Sequence, residues 1–399
     1  LYYLTFGILP PSVFHNPSYD LFMDFFNTNA NAYSPGRYTG WHSLYPPLSF
    51  IVGQIVTPNE CADSIEVVKY NSLWLRNCAI NSYFYFVIPV YLISVYYTYK
   101  LNLIFLDKNK LTLYSKFSLI CILAFNMPLL FLVERGNYLI LAYLFFLLFI
   151  YHNNNTFKTI LGGLLVNLKP YLIVFFGYEF IKKNYLSFFY YLASVLFFFG
   201  VTFYFLSDDF ALLFVKNMFS FSGSGSINIH ALNFTNSFET YVNFVHKLYK
   251  IDLSHLFNVF RLIVITLFIY YIFNRNYDKF KYMLVSILCM LVLTASVGFY
   301  FYVFLLPFIL YFLRLNFYLF IGVIYIIIPF DLVLITKDLT MGPVFNSLDP
   351  SQIKDTPYIS SMTHQFIILS LGFFIKPFIT FLIFIFLIFE GNLNEQKKY

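Results

Sequence analysis

Charge is scarce in this sequence. Asp, Glu, Lys and Arg make up 11% of the 399 residues, where soluble domains carry about a quarter. With 60% of the residues hydrophobic, one water-soluble core cannot hide the apolar surface present. Basic clusters interleaved with aromatics are missing too, which argues against DNA or RNA as a partner. So are the alternating segments of about ten residues that build membrane β-barrels. The four cysteines include no C-x-x-C spacing, and no zinc-type ligand set, nucleophile elbow or redox motif is present. No metal and no other cofactor is therefore expected. Cys121 and Cys289 fall in apolar runs as inert residues, whereas Cys61 and Cys78 share a polar segment where a disulfide is chemically allowed.

What the chain has in excess is aromatic and apolar. It holds 55 Phe and 36 Tyr, and apolar runs near the length needed to cross a bilayer, about 20 residues, recur throughout. The fold class expected is all-α: one polytopic integral membrane domain over residues 1–399, with about 10–12 transmembrane or re-entrant helices. Spans are predicted at 1–12, 82–98, 117–133, 138–151, 186–206, 259–273, 282–298, 299–313, 316–332 and 365–389. The chain opens at Leu1 inside an apolar stretch, so the first span is expected to be truncated. Two apolar pieces differ. Residues 44–57 start with Tyr45-Pro46-Pro47, and 159–181 are interrupted by Lys169-Pro170. Proline lacks a backbone donor and disfavours helix in the residue before it, so both pieces read as broken or re-entrant elements. Irregular backbone at membrane depth needs protein or a wet cavity around it, which marks a site.

Lysine and arginine set the expected orientation. Lys100, Lys108, Lys110 and Lys116 share one loop; Lys158, Lys182, Lys183, Arg275, Lys279, Lys281, Arg314, Lys397 and Lys398 mark others. All fall on one face, the cytoplasmic one, if 159–181 enters and returns as a hairpin. The opposite face then receives segments 13–81, 207–258 and 333–364. Connections of this length carry function more often than simple linkage.

Chemistry-bearing residues concentrate there. Asp20 and Asp24 are four apart and would share a helical face, where a carboxylate can serve as general base for a hydroxyl nucleophile. Glu134-Arg135-Gly136-Asn137 places charge in a short turn between apolar runs; Arg135 either binds a phosphate or pairs with an acid. Lys169 sits near the hairpin tip and needs an anion or water. His230 follows a Gly/Ser loop, Ser222 to Ser226, that does not match a P-loop.

In order, these segments resemble the polyprenyl-phosphate-mannose-dependent mannosyltransferases of the GT-C glycosyltransferase superfamily. The resemblance comprises the early acids (Asp20-Leu21 or Asp24-Phe25), Tyr45-Pro46-Pro47-Leu48, Arg135-Gly136-Asn137, Lys169-Pro170-Tyr171, Asn236-Ser237, and the aromatic run Phe299 to Pro307. It implies a membrane enzyme moving mannose or another hexose from a polyprenyl-phosphate donor to a glycan or glycolipid acceptor outside the cytoplasm. The expected setting is a bacterial inner membrane, with the site facing the periplasm or exterior. Asp20 matches the base best by its spacing to the tyrosine-proline segment, with Asp24 close behind; Arg135, Lys169 and His230 would hold the donor phosphate. Tyr45, Asn137, Tyr171, Asn236 and Tyr302 would line the substrate cavity. Two departures stand out: Asn137 where glutamine is common, and a Ser296 region without the usual proline and histidine, with Tyr300 and Tyr302 nearby.

Two other readings fit a polytopic, aromatic-rich chain. An O-antigen-type polysaccharide polymerase would lean on several external arginines, and only Arg37, Arg76, Arg135 and Arg261 qualify. A non-enzymatic transporter of lipid-linked glycans would show inverted repeats, which the sequence lacks.

Overall fold

The structure, a computed structural model, describes residues 22–39, 43–105, 112–206, 213–217, 238, 242, 251–274, 278–293, 299–328, 333–339 and 365–395. The chain is an all-α polytopic membrane protein, and the regular structure among the described residues is helical apart from one two-stranded ribbon. Among the described residues the first helix is α1 (Met23–Ala32), followed by α2 (Pro47–Val56) and α3 (Asn59–Ser64). Next come α4 (Ser72–Asn102), α5 (Leu113–Ala124), α6 (Met127–Arg135), α7 (Leu139–Tyr151) and α8 (Asn155–Leu168). A 3₁₀ segment, Pro170–Phe176, leads into α9 (Gly177–Ile181) and α10 (Tyr185–Leu206). Further along are α11 (Ser254–Asn274), α12 (Lys279–Leu293), a 3₁₀ segment Phe299–Phe308, α13 (Ile309–Leu315) and α14 (Phe317–Ile327). The chain closes with β1 (Val333–Leu339), β2 (Gln365–Ser370) and α15 (Leu371–Glu395).

Among the described residues three helices are long and apolar enough to cross a membrane: Ser72–Phe105, Tyr185–Leu206 and Ser254–Phe273. Helices α5 and α6, bent by 43° where Asn126 caps the second helix and Pro128 follows, are apolar enough together to make a fourth crossing or a re-entrant loop. Their outer faces expose large apolar side chains such as Leu196, Phe197, Leu262 and Ile263, as a lipid-facing surface requires. Several other apolar helices are shorter, Pro47–Val56, Leu139–Tyr151 and Phe317–Ile327 among them. Residues 299–313 open as a 3₁₀ segment, and residues 365–370 pair antiparallel with β1, in place of the helix expected from 365 onward. Composition marks these residues as apolar but does not say whether the backbone closes its hydrogen bonds locally or with a second strand.

The interrupted segment 159–181 is a hairpin, as its Lys-Pro break predicts. Helix α8 ends when Lys169 adopts extended backbone, φ −143° and ψ 95°, immediately before Pro170. The return limb then comes back beside it. Two ends of the molecule are thereby defined. At one, Lys279 lies 3.5 Å from Glu179 of the return limb and within electrostatic reach of Lys158 at the start of α8. Lys281 pairs with Glu390 at 3.0 Å, and Asp278, Glu390 and Arg314 surround Tyr311. The C-terminal end of α4 arrives here too, with Phe105 packed on Phe280 and Tyr311. The hairpin tip, with Lys169, lies at the other end.

Cys61 and Cys78 form a disulfide, with Cα atoms 6.0 Å apart, fastening α3 to the first turns of α4. It lies at the hairpin-tip end, since α4 runs from there to the charged end.

Candidate functional site

The Arg135-Gly136-Asn137 turn is built by helix termination. Gly136 takes the left-handed conformation, φ 67°, that closes α6. Its N–H donates to the Val133 carbonyl, and the Asn137 N–H donates to that of Leu132. A side chain at Gly136 is excluded twice, by that φ and because a Cβ would lie 2.7 Å from Phe25 Cβ. The Tyr83 hydroxyl donates to the Val133 carbonyl, and the Phe22 N–H donates to the Glu134 carbonyl at 2.8 Å. The start of α1 is thus tied to the end of α6, which brings Asp24 to Arg135 and Asn137.

Asp24 is engaged at both carboxylate oxygens. Arg135 Nη2 donates to Oδ1 at 2.6 Å, and Asn137 Nδ2 donates to Oδ2 at 2.9 Å. The same Asn137 amide lies 3.2 Å from the Tyr45 hydroxyl. Tyr45 precedes Pro46 and Pro47, whose fixed φ starts α2 at Pro47 and leaves the tyrosine just outside the helix. Helix α2 is held close to α1: Gln54 donates to the Ala32 carbonyl, and a Cβ at Gly53 would meet Asn29 Oδ1 at 2.8 Å.

Lys169 completes the cluster from the hairpin tip. Its ammonium sits over the Tyr45 ring, 4.9 Å from the centroid, within electrostatic range of Asp24. Among the described residues no carboxylate comes within ion-pair distance of it. Five of the residues singled out from sequence, Asp24, Tyr45, Arg135, Asn137 and Lys169, therefore meet in one place. They come from α1, the start of α2, the α6 terminus and the α8 terminus. Tyr171 lies beside them, its ring edge-on to Phe301 at 5.3 Å.

The other candidates fall elsewhere. Tyr302 is buried with its hydroxyl 3.0 Å from Thr380 Oγ1 of α15, so it braces two helices and does not face Asp24. Tyr300, two residues earlier, is the aromatic that joins the cluster: Asp24 and Arg135 both act on it electrostatically, and its charge couples to Tyr45 and Tyr171. With about three residues per 3₁₀ turn, positions two apart point in different directions, so only one of the pair can face the site. The spacing in the sequence does not reveal which. Asp20, His230 and Asn236 lie outside the described residues.

Three kinds of chemistry are grouped here: a carboxylate, two cations and several phenols. No group of three or more His, Cys, Asp or Glu that could hold a metal occurs among the described residues. Arg37, one of the external arginines, is buried with its Nε donating to the Asn31 and Ser34 carbonyls, which makes it part of the α1–α2 connection. Compared with known proteins, the chain matches no protein-family model, no curated protein and no solved structure.

Proposed function

We propose that this protein is a membrane glycosyltransferase that moves a hexose, mannose or another, from a polyprenyl-phosphate carrier to a hydroxyl of a glycan or glycolipid acceptor. The observation that carries the reading is the meeting of Asp24, Arg135, Asn137, Tyr45 and Lys169 at one end of a lipid-facing helical scaffold. Such a transfer needs a proton acceptor for the incoming alcohol and cations for the departing phosphate, both within one pocket.

In this scheme the acceptor oxygen attacks the anomeric carbon as the bond from that carbon to the phosphate oxygen breaks. The acceptor proton passes to the Asp24 carboxylate, which keeps lone pairs free on both oxygens beyond those used by Arg135 and Asn137. The electron pair of the broken bond leaves on the lipid phosphate, whose growing charge Lys169 and Arg135 stabilise. No metal is required by a monophosphate leaving group, and none is invoked.

The disulfide supports an extracytoplasmic site in a plasma membrane, the bacterial inner membrane by the family resemblance. Cys61–Cys78 lies at the site-bearing end, and such bonds persist in oxidising compartments. Lys158, Lys279, Lys281 and Arg314 gather at the other end, as the bias of basic residues toward the cytoplasm requires.

The deciding experiment reconstitutes the purified protein in lipid with radiolabelled polyprenyl-phosphate hexoses and a membrane glycolipid extract. Transfer of label that is lost in Asp24→Asn supports the reading. Equal counts in wild type and variant with every donor would sink it.

A further inference from the structure

We infer that the Tyr300 hydroxyl is a third hydrogen-bond donor to the anionic group of the ligand, alongside Arg135 and Lys169; this rests on the reading above. Tyr300 is the second residue of the 3₁₀ segment Phe299–Phe308 and is half-buried. Its ring stacks on Phe131, with centroids 5.9 Å apart and planes at 23°. Phe131 is four residues before Arg135 on α6, so the two share a face and Tyr300 lies one turn below the guanidinium. On its other side Tyr300 couples to Tyr45, the ring beneath Lys169, and to Tyr171, two residues past Lys169. Tyr171 in turn packs on Phe301, the residue after Tyr300. The phenol therefore lies within electrostatic range of Arg135 and of Tyr45, the ring under Lys169, on a ring fixed by stacking.

Its hydroxyl makes no hydrogen bond to any described residue, whereas the Tyr45 hydroxyl accepts from Asn137. A phenol beside a site that, among the described residues, groups two cations with one carboxylate has a natural acceptor in a phosphate oxygen. Hydrogen bonds to charged groups are the strong class, and the loss of one weakens binding by about 10- to 100-fold.

The test uses the full chain in lipid nanodiscs with two probes, decaprenyl monophosphate and uncharged decaprenol. Tyr300→Phe keeps the ring on Phe131 and removes one oxygen. The expected result is about 10- to 100-fold weaker binding of the phosphate, with decaprenol binding unchanged. Tyr300→His retains an N–H donor and should recover most of the lost affinity; it also serves if the phenylalanine variant does not fold. An unchanged phosphate affinity in Tyr300→Phe, or equal weakening for both probes, would overturn the inference. If wild type binds decaprenol as tightly as decaprenyl monophosphate, the anion site itself fails, and the proposed donor class falls with it.

Discussion

Arg135 and Asp24, separated by 111 positions in sequence, form an ion pair at 2.6 Å with both side chains largely shielded from solvent. The pairing draws α1 against α6 and leaves the carboxylate facing Tyr45 and Lys169. Neither partner reads as an idle surface charge.

Replacing Asp24 with asparagine keeps the size of the side chain and removes the proton acceptor. Turnover is expected to fall by about 10²- to 10⁴-fold, the usual contribution of a general base. Binding of the lipid phosphate should persist, because Lys169 is untouched. Steady-state kinetics together with a direct binding measurement check both halves, and unchanged turnover would remove Asp24 from the mechanism.

Lys169→Ala should raise the donor KM by at least about 10-fold and leave the acceptor KM alone, because a charge-assisted contact to phosphate is lost. Lys169→Arg keeps the charge but changes its shape, and should recover only part of the affinity. A donor KM that does not move in the alanine variant would show that the anion is held elsewhere.

Gly136→Ala is expected to be among the most damaging single methyl additions in the chain. The backbone is left-handed there and the new Cβ would sit 2.7 Å from Phe25 Cβ. Strain of about 1–3 kcal/mol from the backbone alone, plus the clash, should lower thermal stability and disrupt the Arg135–Asp24 pair. Thermal unfolding in detergent, with activity measured at low temperature, separates the two effects.

The Cys61–Cys78 bond closes a short loop, with a sequence separation of 17. Chain-entropy arguments assign about 3 kcal/mol to a loop of that size. Cys61→Ser with Cys78→Ser should therefore reduce the melting temperature by several degrees. In intact cells, a membrane-impermeant maleimide should label Cys61 or Cys78 only after reduction. Labelling before reduction would disprove the bond.

How far the sequence could be read depended on whether the signal was local. The Lys169-Pro170 break was legible because proline removes a backbone donor wherever it stands, and the hairpin turns there. Gly136 was legible as the centre of a turn for a similar reason. Asp24 and Lys169 were visible as charges out of place in an apolar chain. That they meet depends on α1, α6 and α8 packing together, which no single segment encodes. Which of Tyr300 and Tyr302 joins the cluster was not legible, since the orientation of a 3₁₀ run depends on what it packs against, here Thr380 for Tyr302 and Phe131 for Tyr300. The helix expected over 365–389 begins only at Leu371, because the apolar residues 365–370 found a strand partner in β1.

The short reach of the hairpin has a consequence for the surrounding lipid. Fourteen residues of α8 rise about 21 Å, whereas the hydrocarbon layer is about 30 Å thick. If the basic end is anchored at one headgroup plane, Lys169 stops well below the other. A carrier headgroup meeting it there would have to sink beneath its neighbours, or the leaflet around the tip would have to dimple inward. Bilayer thickness then becomes a control on the protein: lipids with longer acyl chains should pull the carrier away from its lysine, and shorter ones should bring the two together.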